Sequence, residues 1–508
     1  MAAYPITKPP RSNEVPPQEA ESAQSSAPRD VAYRRHLSVA LVLAVVVGCA
    51  YLFFGRSTDV PAENALLAIV IIILSIAPSV FYLRKKDPEP MPVLPLVGLF
   101  YMIAFALPVF SVDRAIFVML RPDIVTPASL FAVIGGILLF YLAYAAAKNL
   151  LFRRVRSLRL PTDFREGWLA FLLWLLLIPH LLMLWMPELR DLPSVQSILD
   201  PAGYIAFGMF FLMWVHKRLP LVQTIVLAAI CLPIELLGRF ATGALLQIVL
   251  FAVFALIVYW YHARRVPWGL IAVMCLFFVL LQPVKDAFRR YTWTNGRFAS
   301  LNIVGKAKLF GEMTWNFYTQ PHPHQSVLDA TAGRVAHIRL LAFVMQQSPS
   351  PVPYWKGETY KSLLTKFIPR FMWPGKPTET LAHDFGHRYS ILNPDDRGTA
   401  MNLPWLVELW VNFGLTGLII GMLIYGALFG YLVRKLNQRD MTLLEFVVGA
   451  TVLFPLCVNQ ESHFSVVAGN TLLLYVCLSA YFHVGYLLQP RKADTLLGMA
   501  PGRATGGR

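Results

Sequence analysis

Residues 64–83 read Asn64-Ala65-Leu66-Leu67-Ala68-Ile69-Val70-Ile71-Ile72-Ile73-Leu74-Ser75-Ile76-Ala77-Pro78-Ser79-Val80-Phe81-Tyr82-Leu83, with no Asp, Glu, Lys or Arg. About 20 such residues, at about 1.5 Å of rise each, cross the hydrocarbon core of a bilayer. Outward from this stretch the pattern recurs. The apolar runs 37–55, 64–83, 92–110, 127–147, 167–186, 201–216, 219–237, 240–261, 267–283, 405–433, 441–458 and 466–488 predict twelve membrane helices, the shortest being 201–216. The seventh and eighth are joined through Leu237-Gly238-Arg239-Phe240, which predicts a tight helical hairpin.

The composition agrees. Of 508 residues, 56% are apolar and 15% charged, against about 25% charged in soluble domains. A soluble protein of this make-up could not cover its surface with polar groups. Disordered, collagen-like and disulfide-scaffold classes are excluded as well. The five cysteines, Cys49, Cys231, Cys275, Cys457 and Cys477, each lie in an apolar run, so no disulfide framework or zinc site is legible. The ten-residue alternation of a membrane β-barrel is absent. The fold class expected is an all-α polytopic membrane protein.

Lys and Arg in the short loops orient the helices. With residues 1–36 inside, the inner loops hold sixteen basic residues: Arg84, Lys85, Lys86, Lys148, Arg153, Arg154, Arg156, Arg159, Arg165, Lys217, Arg218, Arg264, Arg265, Arg434, Lys435 and Arg439. The outer loops hold five: Arg56, Arg114, Arg121, Arg190 and Arg239. An even count returns the C-terminus to the cytoplasm, where Arg491 and Lys492 follow the last span. The net charge of +16 therefore anchors cytoplasmic loops at anionic lipid; no soluble basic module for nucleic acid is present. Residues 1–33, rich in Pro, Ser, Ala and Glu, read as disordered and lack the apolar core of a signal peptide. No fixed-period or inverted repeat is evident. The predicted organisation is a cytoplasmic tail (1–36), spans 1–9 (37–283), a large outer loop (284–404), spans 10–12 (405–488) and a second tail (489–508).

Loop 284–404 carries fifteen Lys and Arg against eight Asp and Glu, an excess of cations that suggests an anionic ligand. Within it, 327–347 reads as a helix stopped by Pro349, Pro351 and Pro353, Gly357–Phe367 as a second and 378–392 as a third. Three prolines make 369–377 an irregular turn. Arg334 and Arg339 fall on the first predicted helix with His337 between them, and Arg370 in the proline-rich turn. Arginine forks grip phosphate oxygens bidentately, while the plain alternative is solvated helix charge. Arg239, after Glu235, stands close to membrane depth, where an ionisable residue suggests function or a structural ion pair. Glu408 follows Pro404 by four residues at the start of an apolar helix and is a candidate general base, or simply a helix-start charge. His383 and His387 have the i, i+4 spacing of a metal pair, but no third ligand is evident. His322 and His324 read as a turn, and Asn459-Gln460-Glu461-Ser462-His463 as a short outer loop able to line a polar cleft. Nucleotide-binding loops, a zincin motif and a nucleophile elbow are absent, so chemistry on the outer face needs an already activated substrate.

The runs Gly357-Glu358-Thr359-Tyr360, Ile368-Pro369-Arg370-Phe371-Met372-Trp373-Pro374-Gly375-Lys376-Pro377, Leu403-Pro404-Trp405-Leu406-Val407-Glu408 and Asn412-Phe413-Gly414, with Gly333-Arg334 and Gly238-Arg239, resemble the Wzy-type O-antigen polymerases. The resemblance covers roughly 235–417. It implies a GT-C-like membrane glycosyltransferase of the bacterial inner membrane, acting on oligosaccharide repeat units carried by undecaprenyl pyrophosphate. A chain-length regulator protein is the implied partner, and no cofactor or metal is expected. Arg239, Arg334, Arg339, Arg370 and Lys376 would bind the diphosphate, with Glu408, His337 or His387 as base. The family's two-loop pattern does not transfer, because only one long loop is present. An O-antigen ligase-type enzyme and a lipid-linked-sugar flippase or other transporter are the competing readings.

Overall fold

The computed structural model describes residues 17–111, 120–186, 195–241, 245–294, 298, 301–319, 336–366, 373, 375, 380–396 and 399–490. Among them the chain is all-helical, without a strand. The helices are α1 (Pro17–Phe54), α2 (Ala62–Arg84), α3 (Val93–Phe110), α4 (Pro127–Leu151), α5 (Glu166–Trp185), α6 (Val195–Val215), α7 (Leu221–Phe240) and α8 (Leu245–Ala263). They continue with α9 (Trp268–Thr294), α10 (Ile303–Thr319), α11 (His337–Gln347), α12 (Lys361–Lys366), α13 (Leu381–Arg388), α14 (Trp405–Leu436), α15 (Leu443–Val458) and α16 (Phe464–Leu487). Ten helices among the described residues are long and apolar enough to cross a membrane; two shorter apolar ones are Trp268–Phe277, the start of α9, and α15. The outward faces stay apolar: Val47, Tyr51, Phe54, Leu142 and Leu150 are exposed, as lipid-facing side chains must be.

The centre of the fold is α14, read from sequence as one span. Gly414 has φ 62° and ψ −144°, which breaks the helix. In a straight helix Leu409 and Gly421 would be about 18 Å apart. Here a Cβ on Gly421 would meet the Leu409 side chain at 2.0 Å, and the Trp405 and Tyr425 rings lie 5.2 Å apart. Residues 405–413 therefore fold back antiparallel onto 415–436, which alone is about 33 Å long and sufficient to span. Two small-xxx-small pairs permit the contacts: Gly417 and Gly421 receive the returning segment, while Gly426 and Gly430 receive the backbone of α4 at Phe140 and Tyr144.

Other expectations are corrected too. Arg239 lies in the last turn of α7 rather than in a hairpin loop, because Glu235 pairs with it one turn back. The helix of the ninth span continues to Thr294, and α10 follows where a loop was expected. Phe310 of α10 packs on Phe240, Val284 and Phe288, giving an amphipathic pair its shared core. Gly357–Phe367 is a 3₁₀ turn, Glu358–Tyr360, followed by α12, since Gly357 is left-handed (φ 90°). The first loop helix is described from His337 and the third as Leu381–Arg388. The N-terminal tail is helical from Pro17, because extending an existing membrane helix needs no new nucleus.

A Cβ on Gly426 would meet the Phe140 carbonyl oxygen at 2.3 Å, whereas one on Gly48 meets nothing within 4 Å. Gly426→Ala should lower the stability of the detergent-solubilised protein by about 1–3 kcal/mol, and Gly48→Ala should leave it unchanged in the same unfolding measurement.

Candidate functional site

Four ionisable side chains from three helices meet inside the bundle. His180 of α5 donates from Nδ1 to the Leu199 carbonyl at 2.9 Å and meets Glu235 Oε2 through Nε2 at 2.6 Å. A carbonyl only accepts, so Nδ1 carries a proton, and the His180–Glu235 contact shares a second one. Glu235 Oε1 takes the Nε–H of Arg239, and Arg239 Nη2 lies 3.1 Å from Asp200 Oδ1. The Arg239 guanidinium also faces the rings of Tyr204 (5.3 Å) and Phe251 (5.5 Å). Gly203 makes room for the imidazole, since a Cβ there would meet His180 Nε2 at 2.5 Å. With the shared proton counted, these four groups sum to zero charge, the condition under which burial is tolerable. His180, Glu235 and Arg239 are buried; Asp200 is 32% exposed.

Arg239 and Asp200 line a cavity of about 460 Å³ whose polar wall includes Gln196, Gln247, Asn459, Ser462 and Asn470. Asn459 and Ser462 belong to the loop 459–463. The same loop serves the opposite side. Its Gln460 carbonyl accepts from the Trp405 amide at 3.1 Å, and its Glu461 carboxylate lies 3.7 Å from His337 Nε2. Directly after it, the Phe464 amide donates to Glu408 Oε2 at 2.7 Å. Glu408 is fully buried and holds the N-terminus of α16. One turn on, Asn412 accepts from the Gly357 amide at 2.8 Å and donates to Thr359 Oγ1 at 2.9 Å. The loop expected to line a polar cleft thus links Arg239 on one flank to His337 and Glu408 on the other.

The remaining expected residues separate from this centre. Arg339 is buried and donates to the Ser111 carbonyl at 2.7 Å, tying α11 to the end of α3; a diphosphate clamp would need that fork turned outward. His387 and His383 lie half-buried on α13, and no third His, Cys, Asp or Glu converges with them among the described residues. Arg334, Arg370 and Lys376 lie outside the described residues.

A family model described as a domain of unknown function, DUF8712, matches residues 128–465. The chain belongs to this DUF8712 family. No curated protein and no solved structure matches the chain. The DUF8712 region runs from α4 to the start of α16 and contains the whole buried ion network and the loop 459–463.

Sequence reading singled out Arg239 and Glu235 but passed over His180 and Asp200. The signal was there: His180 is an ionisable residue in the apolar run 167–186, the kind of residue that needs a partner in a membrane. Glu235→Ala would leave Arg239 and His180 without their common carboxylate, at a cost of about 3–5 kcal/mol. Asp200→Asn, at the cavity edge where the lost carboxylate can be partly replaced by solvent, should cost less than Glu235→Ala. Equal unfolding midpoints for Glu235→Ala and wild type would remove the network from the structural core.

Proposed function

We propose that this chain is a membrane polymerase of lipid-linked oligosaccharide repeat units. In this reading it transfers a growing glycan from undecaprenyl pyrophosphate to the non-reducing end of a new lipid-linked unit at the outer face of the bacterial inner membrane. The chain crosses the membrane twelve times with both termini cytoplasmic, α9 and α15 supplying the two crossings whose apolar stretches are short. The observation that carries the reading is the cavity beside Arg239. Amide, hydroxyl and carboxylate groups of the kind that bind sugar hydroxyls line it together with a guanidinium. A diphosphate entering it would compete with Asp200, the more exposed partner, for the Arg239 fork. The activated lipid donor supplies the driving force, in keeping with the absence of nucleotide-binding motifs from the sequence.

Glu408 is assigned a positioning role, because its carboxylate is engaged with the N-terminus of α16. His337, whose Nε2 lies 3.7 Å from the Glu461 carboxylate, is the better general base, since a neighbouring carboxylate can orient an imidazole toward its substrate. A second reading, a lipid-linked-sugar transporter, is favoured by one observation. The ionisable residues His180, Asp200, Glu235 and Arg239 sit within helices, and two of them, Asp200 and Arg239, line a cavity.

Purified protein in liposomes, supplied with lipid-linked repeat units, tests both. Polymer should form. Arg239→Ala should abolish it in protein that still inserts, and His337→Ala should slow it by about 10²–10⁴-fold. Movement of lipid-linked units between leaflets without chain growth would sink the polymerase in favour of the transporter. Growth on a lipid A core acceptor alone would make the protein a ligase.

A further inference from the structure

A second cavity, of about 500 Å³, lies between α2, α3 and α4 at the end of the bundle that carries the basic loops. Its apolar part is built from Leu74, Ala77, Pro78, Phe81 and Tyr141. Its rim is charged. Glu89 Oε1 accepts from Lys85 Nζ at 2.6 Å and from Lys148 Nζ, so two ammonium groups share one carboxylate oxygen. Burial pushes the Glu89 carboxyl up, but the Lys148 charge and the lysine hydrogen bonds win and hold it at about 2. The Glu89 carboxyl is therefore ionised at physiological pH.

The loop that carries Glu89 is fixed from three sides. Arg34 donates to the carbonyls of Lys85 and Lys86 at 3.0 and 2.9 Å. Asn437 bonds both the amide and the carbonyl of Met91, and Tyr82 donates to the Glu89 carbonyl at 2.7 Å. Lys85 and Lys148 line the cavity against the single carboxylate of Glu89, and close by Arg434 donates to the Lys148 carbonyl while Arg439 pairs with Asp87. The apolar end opens toward the lipid-facing surface, where Phe81 is 72% exposed.

We propose that this cavity binds an anionic glycerophospholipid, its phosphate at Lys85 and Lys148 and an acyl chain between Leu74, Phe81 and Tyr141. An excess of cations at one end selects a negative headgroup. An apolar bed several times larger than a phosphate, open to the bilayer side, selects an attached chain. The site is separate from the Arg239 cavity and stands independently of the polymerase reading.

Thermal unfolding of the full-length protein in micelles, titrated with phosphatidylglycerol, phosphatidylcholine or inorganic phosphate, tests it. Phosphatidylglycerol should raise the midpoint and the other two should not. Lys148→Gln should weaken the apparent affinity about fivefold, the factor expected from one cation near an anionic headgroup. Glu89→Gln frees both lysines and should strengthen it by a similar factor, an effect that a purely structural lysine bridge would not give. Ala77→Phe fills the apolar bed without touching a charge and should abolish the response, so the site stays testable if Lys148→Gln does not fold. The proposal is overturned if phosphatidylcholine or inorganic phosphate matches phosphatidylglycerol, if Ala77→Phe responds like wild type, or if Glu89→Gln binds no more tightly.

Discussion

Inside a bilayer no water satisfies a backbone group, so every break in a helix must be repaired by protein. The break at Gly414 is the one on which this structure turns. It frees the carbonyls of Val411 and Asn412, which the Trp355 and Lys356 amides take at 3.0 Å each. The Gly357 amide takes the Asn412 side chain. A Cβ on Gly414 would lie 2.4 Å from the Tyr354 hydroxyl, so the turn is closed by the same segment that repairs it. Residues 354–360 are thereby stitched to the helical hairpin of α14, and the large loop is anchored in the bundle rather than resting over it.

The repair has a consequence for chemistry. Because 405–413 folds back, Trp405 and Glu408 meet the loop 459–463 and the start of α16. Ser465 donates to the Thr359 carbonyl and accepts from Ser362, and the Tyr425 ring stacks on Phe464 at 4.6 Å. These polar groups satisfy one another where water is scarce. The loop 459–463 then has two faces, one toward His337 and one toward the Arg239 cavity.

Charge is balanced differently at the two cavities. Around Arg239 a guanidinium, a shared proton and two carboxylates cancel, and only Asp200 reaches the cavity edge. Around Glu89 the cations outnumber the carboxylates, which is sustainable because that rim sits at helix ends. The first site carries no excess charge, whereas at the second two ammonium groups share one carboxylate and an excess of positive charge remains.

The sequence by itself determined that the protein is a helical membrane protein, because runs such as 64–83 have one physical solution in their length and lack of charge. It also pointed to Arg239 with Glu235, which are i, i+4 neighbours on one helix, and to the loop 459–463 as a polar lining. It could not give what depends on distant contacts. That 405–433 is a folded hairpin rests on Gly414 meeting Tyr354 and on Leu409 filling the space above Gly421. That Glu408 is a buried anchor rests on Phe464, 56 positions away. His180 and Asp200 join Arg239 only when α5, α6 and α7 pack together. Period, length and charge are local and can be read along the chain; partners for buried polar groups are non-local, and only the tertiary structure assigns them.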